Sequence, residues 1–197
     1  NFNESGAASE YKRTMRNLVY FVNEAPWSIY GTDVINSFAA YRDAAIFVIS
    51  RDSGEGQDIS TTGSDGTDGS YLSLTAQERE VLSKITELKN SGTFKKLIVV
   101  LNSAVPVQLD FMFDDSIDID AAMWVGNVGS SGIYAINDVL CGKVNPSGKL
   151  SDTYCKDNFS SPAMANWAAN PNKKFSQTYS NASSYSKFDS TQNVYGV

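Results

Sequence analysis

The stretch AAIFVISRDSGEGQD, residues 44–58, decides how the chain is read. It runs through apolar, partly β-branched residues, closes on Arg51, and then sets Glu55 between two glycines. An apolar run without strict alternation, ended by polar and Gly residues, reads as a strand buried on both faces of a parallel sheet. KLIVVLN (96–102) and DAAMWVG (120–126) have the same character. The glycines remove the side-chain cover around Glu55 and open backbone angles closed to other residues. Glu55 is therefore displayed on a shaped turn beyond the carboxyl end of the first of these strands, where open α/β sheets place functional loops.

Helical patterns lie between the apolar runs. LTAQEREVLSKITELKN (74–90) offers Thr75 as N-cap and Glu78 three residues on, a capping box. Its Leu74, Val81, Leu82, Ile85 and Leu88 recur at helical spacing. PVQLDFMF (106–113) opens with Pro, which favours a helix start. SSGIYAINDVLCG (130–142) closes on Gly142, a good residue just past a helix end. Alternating strands and helices give an α/β class, a layered α/β/α sandwich with a mostly parallel, flavodoxin-like sheet in a single domain.

The flanks are less regular. Residues 5–41 read as helical pieces broken at Pro26 and Gly31, and KLSDTY (149–154) as a last edge strand after the turn NPSGK. From Asn158 onward Val194 and Val197 are the only branched aliphatics, while aromatics, Asn and Ser abound. Such a stretch builds no core of its own. The expected division is an α/β domain with its N-terminal helical segment over 1–157, and an irregular tail over 158–197 packed on that domain or on a neighbour.

Composition narrows the chemistry. A formal charge of -6 argues against nucleic acid or an anionic membrane surface. No apolar run approaches the roughly 20 residues of a membrane span. There is no histidine, which removes Ser–His–Asp and Cys–His catalysis and the commonest transition-metal ligand. Cys141 and Cys155 lack zinc-site spacing and read as partly buried free thiols or as a disulfide. Acid–base work falls to carboxylates, Lys, Tyr or a thiol. Three Asn-x-Ser sequons, at Asn3, Asn158 and Asn181, are compatible with secretion.

The loop after Arg51 carries no phosphate-binding glycine pattern. Asp58, Asp65 and Asp68 offer hard oxygen ligands, but their spacing does not fit an EF-hand, so no metal site is assigned. GNVGSSG (126–132) lets a strand and a helix approach closely, and Ser130 and Ser131 have no histidine to activate them.

Four blocks in order, SRDSGEGQD, YLSLTAQEREVL, KLIVVLNSAVPVQL and GKVNPSGKLSDTY, resemble the α/β sandwich domain of glycoside hydrolase family 3. The resemblance covers about residues 44–157. It implies the second domain of a retaining β-glycosidase, of the β-glucosidase kind, which packs beside a (β/α)8 barrel that holds a β-linked sugar and the aspartate nucleophile. It further implies that Glu55 is the general acid/base, that Arg51, Asp52, Ser53, Gly54 and Gly56 shape its loop, and that Asp58 borders the leaving-group subsite. No cofactor is implied. Where many members carry an aromatic after the Glu-Gly pair, this chain has Gln57. No barrel is present, so a fragment with one member of the carboxylate pair is expected to be inactive alone. The competing expectation is a non-catalytic carbohydrate-binding or scaffold module of the same fold.

Overall fold

The computed structural model describes residues 14–16, 19–21, 24–51, 53 and 71–160. Three strands form the main sheet: β3 (Ala45–Arg51), β4 (Leu97–Ser103) and β5 (Ala121–Trp124). They are parallel, in the order β3-β4-β5, with Ala45 opposite Leu97, Arg51 opposite Ser103, and Leu101 opposite Trp124. A separate antiparallel pair joins β1 (Thr14–Arg16) to β2 (Val19–Phe21). The helices are α1 (Thr32–Ser37), α2 (Ala76–Asn90) and α3 (Gly129–Leu140). Each apolar run forms the expected strand, and the chain is an α/β sandwich.

The core lies on one face of this sheet. Phe47 and Ile49 of β3 and Leu97, Val99 and Leu101 of β4 cluster with Leu74, just before α2, with Val81 and Leu82 of α2, and with Val107 and Phe111. Fully burying a residue such as Leu82 is worth roughly 1.5–3 kcal/mol. The opposite face departs from the expectation of double burial. Ile46 and Val48 are 48% and 51% exposed, so β3 alternates buried and open among the described residues, and β5, expected to be buried on both faces, is exposed at Ala121, Ala122 and Trp124.

Local chemistry sets the helix ends. The Thr75 hydroxyl accepts from the Glu78 amide at 3.2 Å and Glu78 Oε2 accepts from the Thr75 amide at 2.8 Å, the capping box read from the sequence. Gly142 follows α3 with φ +71, and the Lys143 amide reaches back to the Asp138 carbonyl at 2.8 Å. Gly92 (φ +81) closes α2 in the same manner, with the Thr93 amide on the Leu88 carbonyl at 2.8 Å.

Several further expectations need correction. The helix over 106–113 shrinks to a single 3-10 turn, Asp110–Phe113. The Gln108 and Leu109 amides donate instead to the Leu72 and Cys155 carbonyls, at 2.8 and 2.9 Å, so tertiary partners take the donors a helix would have used. Residues 149–154 form no strand; 149–153 are exposed. The 5–41 region holds the β1–β2 pair as well as helical pieces, with Pro26 and Gly31 serving as the N-caps of Trp27–Ile29 and of α1. Those pieces attach through aromatic contacts, Trp27 to Tyr30 (5.1 Å), Trp27 to Phe38 (6.5 Å) and Phe38 to Phe94 (5.3 Å). Both cysteines are free, and Cys141 is exposed rather than partly buried. Asn158 is buried, with its Nδ2 on the Pro106 carbonyl at 3.3 Å, so this sequon leaves no room for a glycan. The tail from residue 161 lies outside the described residues.

An ion network ties the amino edge of the sheet together. Lys89 contacts Asp118 and Asp120 at 2.7 and 2.6 Å, and Lys96 contacts Asp120 at 2.7 Å. Asp120 also accepts from the Leu97 amide at 2.9 Å. Hydrogen bonds from Lys89, Lys96 and that amide hold its carboxyl well below the usual 3.8. A depressed folded-state pKa contributes stability that is present above the ordinary value and lost as pH falls below it. Unfolding midpoints measured from pH 6 to pH 2 therefore drop less steeply for Asp120→Asn than for the wild type. At neutral pH the substitution lowers stability by about 1 kcal/mol, roughly 2–4 °C in Tm.

Candidate functional site at the carboxyl edge of the sheet

The carboxyl ends of β3, β4 and β5 carry Arg51, Ser103 and Trp124, with Arg51 opposite Ser103 and Trp124 opposite Leu101. Ser103 is fully buried and turns the chain, its hydroxyl donating to the Val105 carbonyl at 2.7 Å and accepting from the Val105 amide at 3.1 Å. Trp124 donates its indole N–H to the Ser103 carbonyl at 2.8 Å, which fixes the ring at the edge with 37% of the residue exposed.

Arg51 is the most constrained side chain of this edge. Only 2% of its side chain and 8% of that of Glu78 are exposed. Its Nη1 and Nη2 donate to Glu78 Oε1 and Oε2 at 2.8 and 2.7 Å, a bidentate pair. The remaining donors go to carbonyls: Nε to Tyr71 at 2.7 Å, Nη1 to Ser50 at 2.9 Å and Nη2 to Ser73 at 2.8 Å. Every guanidinium N–H is thus used. The cation also lies over the buried Tyr71 ring, 5.7 Å from its centroid. Two ends of the chain, one leaving β3 and one entering α2, are joined by one side chain.

Glu24 adds a second carboxylate nearby. Its Oε1 accepts from the Tyr30 hydroxyl at 2.9 Å and the Ala25 amide at 3.0 Å. Burial pushes its carboxyl up, against those hydrogen bonds, and the negative charge of Glu78 adds to the rise. Burial, with the charge of Glu24, likewise pushes the Tyr30 hydroxyl up.

Of the site residues expected from sequence, Arg51 stands in this cluster and Ser53 follows it, half-buried. Asp52, Gly54, Glu55, Gly56 and Asp58 lie outside the described residues, as do Asp65 and Asp68. Glu78 was legible as a helix-capping residue and not as the partner of Arg51, because nothing in the spacing of residues 27 apart signals a contact. Trp124 had a weak signal: an aromatic at the carboxyl end of a strand in an open sheet.

A family model described as the glycosyl hydrolase family 3 C-terminal domain matches residues 15–195. Beta-glucosidase A of Butyrivibrio fibrisolvens is 36% identical over 62% of this chain and 16% of its own length. A beta-glucosidase of Ruminococcus albus is 35% identical over 68% of this chain and 13% of its own. Among solved structures, a beta-glucosidase from Paenibacillus barengoltzii superposes with a TM-score of 0.60 at 30% identity, covering 74% of this chain and 14% of that one. Beta-glucosidase 3B from Thermotoga neapolitana, in complex with α-D-glucose, gives 0.59 at 27% identity, over 87% and 22%. The chain therefore spans a small part of each relative, 22% at most among these four.

Breaking the Arg51–Glu78 pair from one side leaves a buried charge without its partner. Arg51→Met and Glu78→Leu, each alone, lower the unfolding free energy by about 3–5 kcal/mol. The double variant loses clearly less than the sum of the two. Urea unfolding of the four proteins measures this; strict additivity would show that the two side chains are not coupled.

Proposed function

The chain belongs to glycosyl hydrolase family 3, as its C-terminal domain, and on that premise we propose that it is the second domain of a retaining β-glycosidase, of the β-glucosidase kind. Its active site is completed by a (β/α)8 barrel elsewhere in the same polypeptide, and Glu55 is the general acid/base. The observation that carries this reading is the placement of Arg51. The strand ends there, at the carboxyl edge of the sheet, so the segment bearing Glu55 leaves from the edge where such sheets place their chemistry. The relatives named above are β-glucosidases, many times longer than this chain.

Two carboxyl groups about 5–5.5 Å apart flank the bond in a retaining enzyme. One is the nucleophile, supplied by the barrel. Glu55 protonates the departing glycosidic oxygen as the glycosyl-enzyme forms, then takes a proton from the water that releases the sugar. Arg51, Asp52, Ser53, Gly54 and Gly56 shape the turn that presents it, and Asp58 borders the subsite for the leaving group. The β-linked glycoside is held chiefly by the barrel, and the 158–197 stretch lies on this domain or on that neighbour.

In the complete polypeptide, Glu55→Ala lowers turnover by about 10²–10⁴-fold on substrates with poor leaving groups, which need protonation as the bond breaks. Activated aryl β-glucosides lose less in glycosyl-enzyme formation, and added azide restores their turnover. The isolated chain shows no turnover at high protein concentration, since nucleophile and binding energy are elsewhere. Equal loss across leaving groups, without azide rescue, gives Glu55 a structural role instead.

A further inference from the structure

Glu78 has a second role beyond closing the first turn of α2. Its Oε2 accepts from the Thr75 amide at 2.8 Å and from Arg51 Nη2 at 2.7 Å, while Oε1 takes Nη1 at 2.8 Å. One carboxylate therefore fixes the helix start and the guanidinium together. The guanidinium in turn holds the carbonyls of Ser50 on one side and of Tyr71 and Ser73 on the other. Those three carbonyls bracket the segment 52–70, which carries Glu55. We infer that Glu78 is a positioning residue for Glu55, acting through Arg51 on both anchor points of the segment; this rests on the acid/base reading above.

Geometry and desolvation support the inference over a purely structural role. A capping box needs one oxygen of its Glu or Gln. Here the second oxygen goes to Arg51, and the pair is buried where water cannot substitute for either member. A bidentate pair fixes the plane of the guanidinium as well as its distance. Its remaining N–H groups are then aimed in fixed directions, and the anchor carbonyls must meet them. Small displacements of a proton donor matter, since a 1 Å misplacement costs about 10²-fold in rate. Gln at this position keeps the capping geometry, but removes the charge and one of the two acceptors facing Arg51.

Two measurements decide it. On this chain, hydrogen exchange of the amides in peptides covering 48–53 and 71–76 rises by about 10-fold or more in Glu78→Gln, while β4 and the last two turns of α2 keep their protection. Unchanged exchange at both anchors overturns the inference, as does an equal rise everywhere. In the complete polypeptide, Glu78→Gln lowers kcat/KM on alkyl β-glucosides by roughly 10–100-fold more than on activated aryl β-glucosides. Should this variant fold poorly, Arg51→Met/Glu78→Leu is assayed in its place and shows the same selective loss. A uniform loss across leaving groups, or a wild-type profile in the double variant, overturns the inference. Glu55→Gln assayed beside them separates the two readings. If it shows no selective loss, the acid/base assignment falls, and the exchange data alone then sustain or overturn the anchoring.

Discussion

A guanidinium buried to the extent of Arg51 must find an acceptor for each N–H and a counter-charge close by, or the fold pays several kcal/mol in desolvation. That single requirement organises the carboxyl edge of the sheet. It demands a carboxylate at the first turn of α2, and Glu78 supplies it. It demands carbonyl acceptors before and after the segment 52–70, and Ser50, Tyr71 and Ser73 supply them. The register of β3 against β4 then places Arg51 beside Ser103, whose carbonyl carries Trp124. Strand, insertion, helix and aromatic edge are coupled through one satisfied cation.

The two edges of the sheet treat charge differently. At the amino edge, Lys89, Lys96, Asp118 and Asp120 form a network whose outer members face water, with Lys96 60% and Asp118 59% exposed. Pairs of that kind are screened and individually contribute at most about 1 kcal/mol. At the carboxyl edge the pair is dry, and removal of one partner is costly even where the pair itself adds little. The stabilising network thus sits away from the edge where the segment bearing Glu55 departs, and the two can vary independently.

What was legible in the sequence follows from range. β3, β4 and β5 appear as apolar runs, although only the central β4 is buried along most of its length, and α2 announces itself through Thr75 and Glu78 three residues apart. Gly142 marks the end of α3 for an equally local reason. Apart from the β1–β2 pair, whose partners are close in sequence, the failures in the α/β domain are non-local. Pro106 opens no helix because the Gln108 and Leu109 amides are claimed by Leu72 and Cys155, partners far along the chain. Residues 149–154 have strand-like composition but find no ladder among the described residues. The open side of β3, Ile46 and Val48, has the same composition as its buried side, so composition alone could not separate them. In the candidate site, the Gly-Glu-Gly turn was visible as a motif, whereas the Arg51–Glu78 pair required the fold.

The burial of that pair is better understood as a matter of geometry than of stability. Replacing a buried ion pair with apolar side chains of similar volume is often neutral or stabilising, so stability alone gives no reason to keep one. An apolar pair would, however, pack in several rotamers and leave the Ser50, Tyr71 and Ser73 carbonyls to find other donors. The guanidinium has one plane, five donors in a fixed fork, and here one arrangement that satisfies them all. On the reading proposed above, the segment bearing Glu55 holds a proton donor against a substrate bound by another domain, and such a segment needs its two ends fixed more than it needs its domain to be stable. The buried pair meets that need because its energy depends steeply on geometry, so small departures at either anchor are penalised.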